Sequence, residues 1–184
     1  MKLNIGSGYK RYDGYINVDC DHHCNPDVVV QLDDVNLILP FEDNSVDEIL
    51  AHHILEHIGA GFFRLIQEMY RILKPNGIVD IRLPAPWSDI AIIDQEHVRQ
   101  ILPESFRLFS KKHNYIEIER GGSSSTHGIR YDVDFEILTY SFTHDENFYK
   151  DIIPQLNEQQ IHRLFREGLN VAIESHTVIQ AIKD

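Results

Sequence analysis

Two strand-like runs at the start of this chain lie closer together than most α/β proteins allow, and that spacing constrains the fold more than any other feature. Lys2-Leu3-Asn4-Ile5 is a short run that meets the paired glycines of Gly6-Ser7-Gly8. Tyr15-Ile16-Asn17-Val18 is a second run, ending on Asp19, with six residues, Tyr9 to Gly14, in between. A strand, a glycine turn, a second strand and a carboxylate is how α/β proteins hold a nucleoside. A parallel crossover usually takes a dozen or more residues, most often as a helix. Six leave room for an irregular loop with at most one helical turn. Dinucleotide sites set a pyrophosphate on the N-terminus of that helix. Arg11 also stands where a GxGxxG motif has its third glycine, so the spacing argues against a dinucleotide.

Further along, Val28-Val29-Val30 reads as a short third strand and Val46 to Ala51 as a strand buried on both faces. Phe62, Leu65, Ile66, Met69, Tyr70 and Leu73 recur at helical spacing, and Lys74-Pro75-Asn76-Gly77 supplies a stop for that helix. Ile78 to Pro84 is the next strand. Strand, turn, helix, turn and strand over residues 46–84 form a βαβ unit. In the second half, Pro103 to Lys112 reads as a short helix with Phe106 and Phe109 inward, and the serine-rich stretch 119–128 as a flexible loop. Tyr131 to Phe142 reads as a long strand. Asn157 to Gly168 reads as a helix with Ile161, Leu164 and Phe165 as its stripe, and Val178 to Ile182 as a last strand. The expectation is an α/β, Rossmann-like, mostly parallel sheet flanked by helices and closed by a C-terminal antiparallel strand pair.

The 184 residues, 42% apolar and 25% charged, are expected to form a single domain with an ordinary core. No apolar run approaches the roughly 18 residues of a membrane span, and the N-terminus starts a strand rather than a signal peptide, so a cytoplasmic protein is expected. A formal charge of −12 opposes binding to a phosphate backbone. Cys20 and Cys24, with Asp21-His22-His23 between them, could in principle hold a metal; no second ligand pair of finger-like spacing follows, so thiols in a polar loop are expected and no metal site is assigned.

The order of motifs resembles the class I S-adenosylmethionine-dependent methyltransferases, in particular a small type 11-like group. The pieces that carry the resemblance are Leu3-Asn4-Ile5-Gly6-Ser7-Gly8, Gly14-Tyr15-Ile16-Asn17-Val18-Asp19, and Leu39-Pro40-Phe41 with Asp43-Asn44-Ser45-Val46-Asp47-Glu48-Ile49. His53-Ile54-Leu55-Glu56-His57 and Arg71-Ile72-Leu73-Lys74-Pro75-Asn76-Gly77 continue it, so that it covers residues 3–84 densely. It implies S-adenosylmethionine as cofactor. Gly6, Ser7 and Gly8 would let the backbone approach its methionine part, Asp19 would accept from the ribose hydroxyls, and Asp34, or Asp33 if the register slips by one, would meet the adenine. Ala51, His52 and His53 would line the site beside the sulfonium. The helices that the family usually has before the first strand and between the first and second are missing here. A partner chain or the 119–128 loop would then close the site.

A second motif competes. His53-Ile54-Leu55-Glu56-His57 matches the inverted zinc-protease pattern His-x-x-Glu-His, with Glu56 as base. It needs a long helix around it, and Gly59-Ala60-Gly61 would break that helix within about a turn.

Methyl transfer is an in-line displacement in which the protein chiefly positions the acceptor, and a base is needed only for a protonated, poor nucleophile. His97, after the fifth strand, is the first candidate base, and His53 and His127 follow. The expected function is methyl transfer to an O or N atom of a small-molecule, sugar or peptide acceptor, with nucleic acid disfavoured. Two readings stand beside it: a non-catalytic S-adenosylmethionine-binding subunit of a partner, and a zinc hydrolase using His53, Glu56 and His57.

Overall fold

A computed structural model describes residues 1–145 and 150–183, without the side chains of residues 162, 165 and 166. β1 (Lys2–Ile5) and β2 (Ile16–Asp19) are parallel neighbours in register Leu3 to Ile16, joined through Tyr9–Gly14 without a helix. β3 (Val28–Val29) pairs with β2, and β4 (Val46–His52) pairs with the other side of β1. The remaining strands are β5 (Leu73–Pro84), β6 (Phe135–His144) and β7 (Ala172–Ala181). Together they form one seven-stranded sheet in the order β3-β2-β1-β4-β5-β7-β6. β5 and β7 run antiparallel, as do β6 and β7. This is the expected mostly parallel sheet with its antiparallel closing pair.

α1 (Phe62–Ile72) is amphipathic: Phe62, Leu65, Ile66, Met69 and Ile72 are buried in one cluster with Leu3, Ile5, Ile49, Val79 and Ile81 of the sheet. Each such side chain stabilises the fold by about 1.5–3 kcal/mol relative to exposure. The helix has no side-chain cap of its own; the carboxylate of Asp33 accepts from the N–H of Gly61 at its start instead, at 2.6 Å. Glu68 lies on the inner face of α1, 1% exposed. Its oxygens accept from Arg71 Nη2 at 2.7 Å and Nε at 3.0 Å and from the N–H of Leu39 at 2.8 Å, with Arg64 beside it. Burial opposes its charge, but these donors and the two guanidinium groups outweigh that and hold the carboxyl below its usual range. Arg71 donates onward to the carbonyls of Leu39 and Phe41 and to Asp43. The Leu-Pro-Phe segment is thereby bolted to the helix.

Several boundaries differ from expectation. The Lys74–Gly77 stretch is no free turn: β5 begins at Leu73, directly after the helix. Val46 pairs with Leu73 and Glu48 with Ile78, so the extra residues bulge out within the strand. Pro103–Phe109 is a 3-10 helix, with Phe106 and Phe109 inward as expected, and a separate helix, α3 (Lys111–Glu119), follows it. Tyr131 lies before β6 and stacks on Phe63 at 4.3 Å. β7 starts well before Val178, and short helices α2 (Ile90–Ile93) and α4 (His127–Arg130) complete the loops. α5 (Glu158–Glu167) is the expected helix, capped by Asn157 and Gln160 in a reciprocal box; the Phe165 side chain lies outside the described residues. No helix among the described residues is long and apolar enough to cross a membrane.

Strand register puts Leu3, Ile5, Ile49, Ala51, Val79 and Ile81 on the face toward α1. It puts Asn4, Asn17, His52, Asp80 and His176 on the other face, which is mostly polar. The Tyr9–Gly14 loop crosses part of that face: Asn4 Nδ2 donates to the carbonyl of Lys10, and the Tyr12 ring lies 6.2 Å from His52.

Candidate active site

The C-terminal ends of β1, β2 and β4 lie side by side, because the three strands are parallel neighbours. In open α/β sheets this is the edge at which ligands bind. β1 ends in a left-handed turn, with φ of +61° at Gly6 and +49° at Gly8. A Cβ on Gly6 would come within 2.4 Å of the Ile54 side chain, so the turn after β4 packs directly over it. At Gly8 the same position is open, with no heavy atom within 4 Å. The Gly8 N–H donates to Asp19 Oδ2 at 2.7 Å, and the N–H of Asp21 to Oδ1 at 2.9 Å. The glycine turn and the acid that ends β2 are thus one hydrogen-bonded unit. Asp19 is half-buried and keeps acceptor capacity beyond these two bonds.

Asp33 is taken up by the start of α1, whereas Asp34 is exposed, with one oxygen accepting from the N–H of Asn36 at 2.8 Å. Ser7 is buried. Ala51 is fully buried on the core face opposite Ile5, so it reaches the site through its backbone. The His52 ring turns to the polar face, where Nε2 meets Asp80 at 2.8 Å; the other Asp80 oxygen meets His176 at 3.0 Å. Burial of Asp80 works against its charge, and the two imidazoles more than offset that.

His53 has φ of +54° and lies between two acids, with Nε2 2.9 Å from Glu174 and Nδ1 3.5 Å from Glu56. Glu56 and, despite the burial of the ring, Glu174 hold the imidazole above its usual range. Arg82 also reaches Glu174, at 3.2 Å. Asp80, Arg82 and Glu174 went unnoticed in the sequence because strand register alone brings β5 and β7 to this edge. The one available signal was a pair of charged residues, Asp80 and Arg82, alternating with apolar ones along the strand. His127 packs among Phe63, Phe109 and Tyr131, away from these residues, and burial lowers its proton affinity.

The His53–His57 motif does not lie on an α-helix: Leu55–His57 is a single 3-10 turn. The same-face pairing of His53 and His57 expected of a zinc protease is therefore not formed. Cys20 and Cys24 are free thiols, and neither belongs to the metal-competent clusters found among the described residues.

Residues 13–81 match a family model described as a methyltransferase domain. That match runs from the loop between β1 and β2 into β5 and supports a reading of this stretch as part of a class I, type 11 methyltransferase domain. A methyltransferase from Archaeoglobus fulgidus that depends on S-adenosylmethionine has the same fold, with a TM-score of 0.57 at 19% identity, over 97% of this chain and 85% of that one. A chain of the Haloferax volcanii complex that contains the Trm112 methyltransferase activator aligns over 100% of this chain and 82% of its own, at 12% identity and a TM-score of 0.55. The cyclase SpnF aligns over 100% of this chain and 75% of its own, at 13% identity and a TM-score of 0.55. Among curated proteins no sequence matches this one. At these identities the structural likeness establishes the fold. Among the described residues no helix stands between β1 and β2 or between β3 and β4.

Proposed function

We propose that the chain is an S-adenosylmethionine-dependent methyltransferase whose cofactor lies over Gly6–Gly8. The observation that carries this reading is the open cradle at Gly8, where an added Cβ would meet nothing, joined by a hydrogen bond to the Asp19 carboxylate. The cradle lets backbone approach a ligand, and the acid keeps lone pairs for a pair of vicinal hydroxyls. The exposed Asp34 stands on the neighbouring loop for the base. When bound, the cofactor supplies an electrophilic methyl group on a sulfonium.

The chain's own part is to bind and orient. Asp19 fixes the glycine turn, Asp33 fixes the Asp34 loop to α1, and Ile54 closes over Gly6. His53, just after β4, and His97, after β5 with its ring against His57, are the residues assigned to the acceptor side. Both ring nitrogens of His53 face carboxylates, an arrangement that favours the imidazolium, so His53 suits orientation of an acceptor better than removal of its proton. The acceptor class is an O or N atom of a small molecule, sugar or peptide.

Calorimetric titration with S-adenosylhomocysteine tests the reading: one molecule should bind per chain. Asp19→Ala should weaken that binding about tenfold or more, since hydrogen bonds to a charged group are each worth about 1.5–3 kcal/mol. Asp19→Asn, which keeps one acceptor oxygen for Gly8, separates ribose contact from loop anchoring. Absence of binding would reject the reading. Labelled methyl transfer into a cell extract separates an enzyme from a cofactor-binding subunit. A partner chain has one observation in its favour: the alignment with a chain of a complex that contains a methyltransferase activator.

A further inference from the structure

The His53–His57 motif leaves one group without a role in methyl transfer. Glu56 is 3% exposed, and neither of its carboxylate oxygens makes a hydrogen bond. Its nearest cationic neighbour is His53, at 3.5 Å. A buried carboxylate whose one charged partner is a half-exposed imidazole at that distance is poorly compensated, and coordination of a metal would complete it. Two further imidazoles come up to it. Glu56, His57 and His97 each present one ligand atom, and these atoms all lie within 4.8 Å of one another. The rings of His57 and His97 meet edge to face at 4.6 Å.

His97 comes from a separate segment that is held in place by the turn itself. The N–H groups of Val98 and Arg99 both donate to the carbonyl of Glu56, at 2.9 and 3.3 Å. His97 Nδ1 lies 3.1 Å from the carbonyl of Ala91, which can only accept. That bond puts the ring hydrogen on Nδ1 and leaves Nε2 without a hydrogen bond, with Asp94 Oδ2 3.8 Å away, the arrangement by which metal-ligating histidines are usually oriented. His97 also lines an open cavity of about 410 Å³ with Ala91, Asp94 and Arg99, which gives solvent and ions access.

We infer that Glu56, His57 and His97 form a binding site for one divalent transition-metal ion of the zinc class. Two imidazoles, one carboxylate and an open position are the ligand set of many zinc sites. Bonds of about 2.0–2.2 Å require the three ligand atoms to close in by small side-chain rotations. The ion would clamp the segment around His97 onto the turn after β4. The inference stands independently of methyl transfer, because it rests on the buried, poorly compensated carboxylate and the two imidazoles beside it. The cluster Asp21, His22 and His23 carries no such argument: all three residues are exposed, and Asp21 is already bonded to His23 at 2.8 Å. It serves as the internal control.

The test uses the full chain, stripped with a chelator and titrated with Zn²⁺ against a chromophoric competitor, with Co²⁺ absorption as a second readout. One equivalent should bind at submicromolar concentration and raise the melting temperature. His97→Gln and His57→Gln should each weaken binding by at least about tenfold, and His22→Gln with His23→Gln should leave it unchanged. Glu56→Gln guards against misfolded variants: it keeps the shape and removes a buried charge paired only with the half-exposed His53 ring at 3.5 Å, so the metal-free protein should melt no lower than the parent, while its zinc affinity falls. Failure to bind one equivalent, zinc retained by the His97 and Glu56 variants, or zinc lost in the His22/His23 variant would each overturn the site. S-adenosylhomocysteine affinity, measured on the same samples, reports separately on the methyltransferase reading.

Discussion

Gly6 and Gly8 share a left-handed backbone but face different surroundings, and that difference gives the cofactor cradle its sharpest test. Alanine at Gly8 must adopt φ near +49° with open space around its Cβ. The cost is that of the left-handed conformation alone, about 1–2 kcal/mol. For a chain of this length that lowers the melting temperature by roughly 2–8 °C. Alanine at Gly6 carries the same backbone cost and in addition drives its Cβ to 2.4 Å from Ile54 Cγ1 and 2.6 Å from Ile54 Cβ. Overpacking of that kind adds about 1–3 kcal/mol, so Gly6→Ala should melt clearly below Gly8→Ala. Binding should not follow stability in the same way. The Gly8 methyl would occupy the space assigned to the cofactor, so Gly8→Ala, the milder fold defect, should lose S-adenosylhomocysteine affinity by about tenfold or more, equivalent to about 1.4 kcal/mol. Differential scanning fluorimetry with calorimetric titration reads both effects. A Gly8→Ala protein that melts as expected yet binds with parental affinity would refute the cradle.

Two further outcomes follow from the polar anchors. Glu68→Gln keeps the shape of the side chain but leaves Arg64 and Arg71 without their buried counter-ion, although Asp43 and the carbonyls of Leu39 and Phe41 still hold Arg71. Urea unfolding should show a loss of about 2–3 kcal/mol; a change under about 0.5 kcal/mol would mean that the neutral amide serves as well. Asp27 accepts from the backbone and side-chain N–H groups of Asn17 and from Arg11, which hold its carboxyl down to about 2. Because the folded value lies below the unfolded one, its contribution is complete above the unfolded value near 3.8 and is lost as pH falls through about 2. Melting temperature should therefore fall less steeply in Asp27→Asn than in the parent across that acid window, while Asp47, held down by Lys74 and the N-terminal amine, keeps titrating in both. Parallel curves would count against the anchor.

The first half of the chain was legible because its constraints are local and mutually consistent. The period of Phe62, Leu65, Ile66 and Met69 fixes α1, and the six-residue gap fixes the helix-free link between β1 and β2. α3 was not legible because it has no apolar stripe; its one buried residue is Asn114. That helix is held by polar bonds instead, with Ser110 accepting from the N–H of His113, and Asn114 joining the carbonyl of Leu108 to the N–H of Ile129. Likewise Tyr131 looked like strand by residue type, yet it is committed to stacking on Phe63. At the site, glycine spacing pointed to the cradle, but the use of Asp33 at the start of α1 and the pairing of His53 with Glu174 depend on segments far apart in the chain. No periodicity encodes such meetings.

The short link between β1 and β2 also bears on how the sheet assembles. Parallel pairing ordinarily waits for a long crossover to fold, but here closure spans roughly ten residues from Ile5 to Ile16, against roughly forty from Ile5 to Val46 for the β1–β4 pair. Two doublings of loop length cost about 1.2 kcal/mol more in closure entropy. With β2–β3, whose link from Asp19 to Val28 is as short, the β1–β2 ribbon is therefore among the parallel pairs that a nascent chain can close most readily, and it brings the glycine turn and Asp19 together. The cradle thus lies in the part of the sheet whose closure costs the chain least.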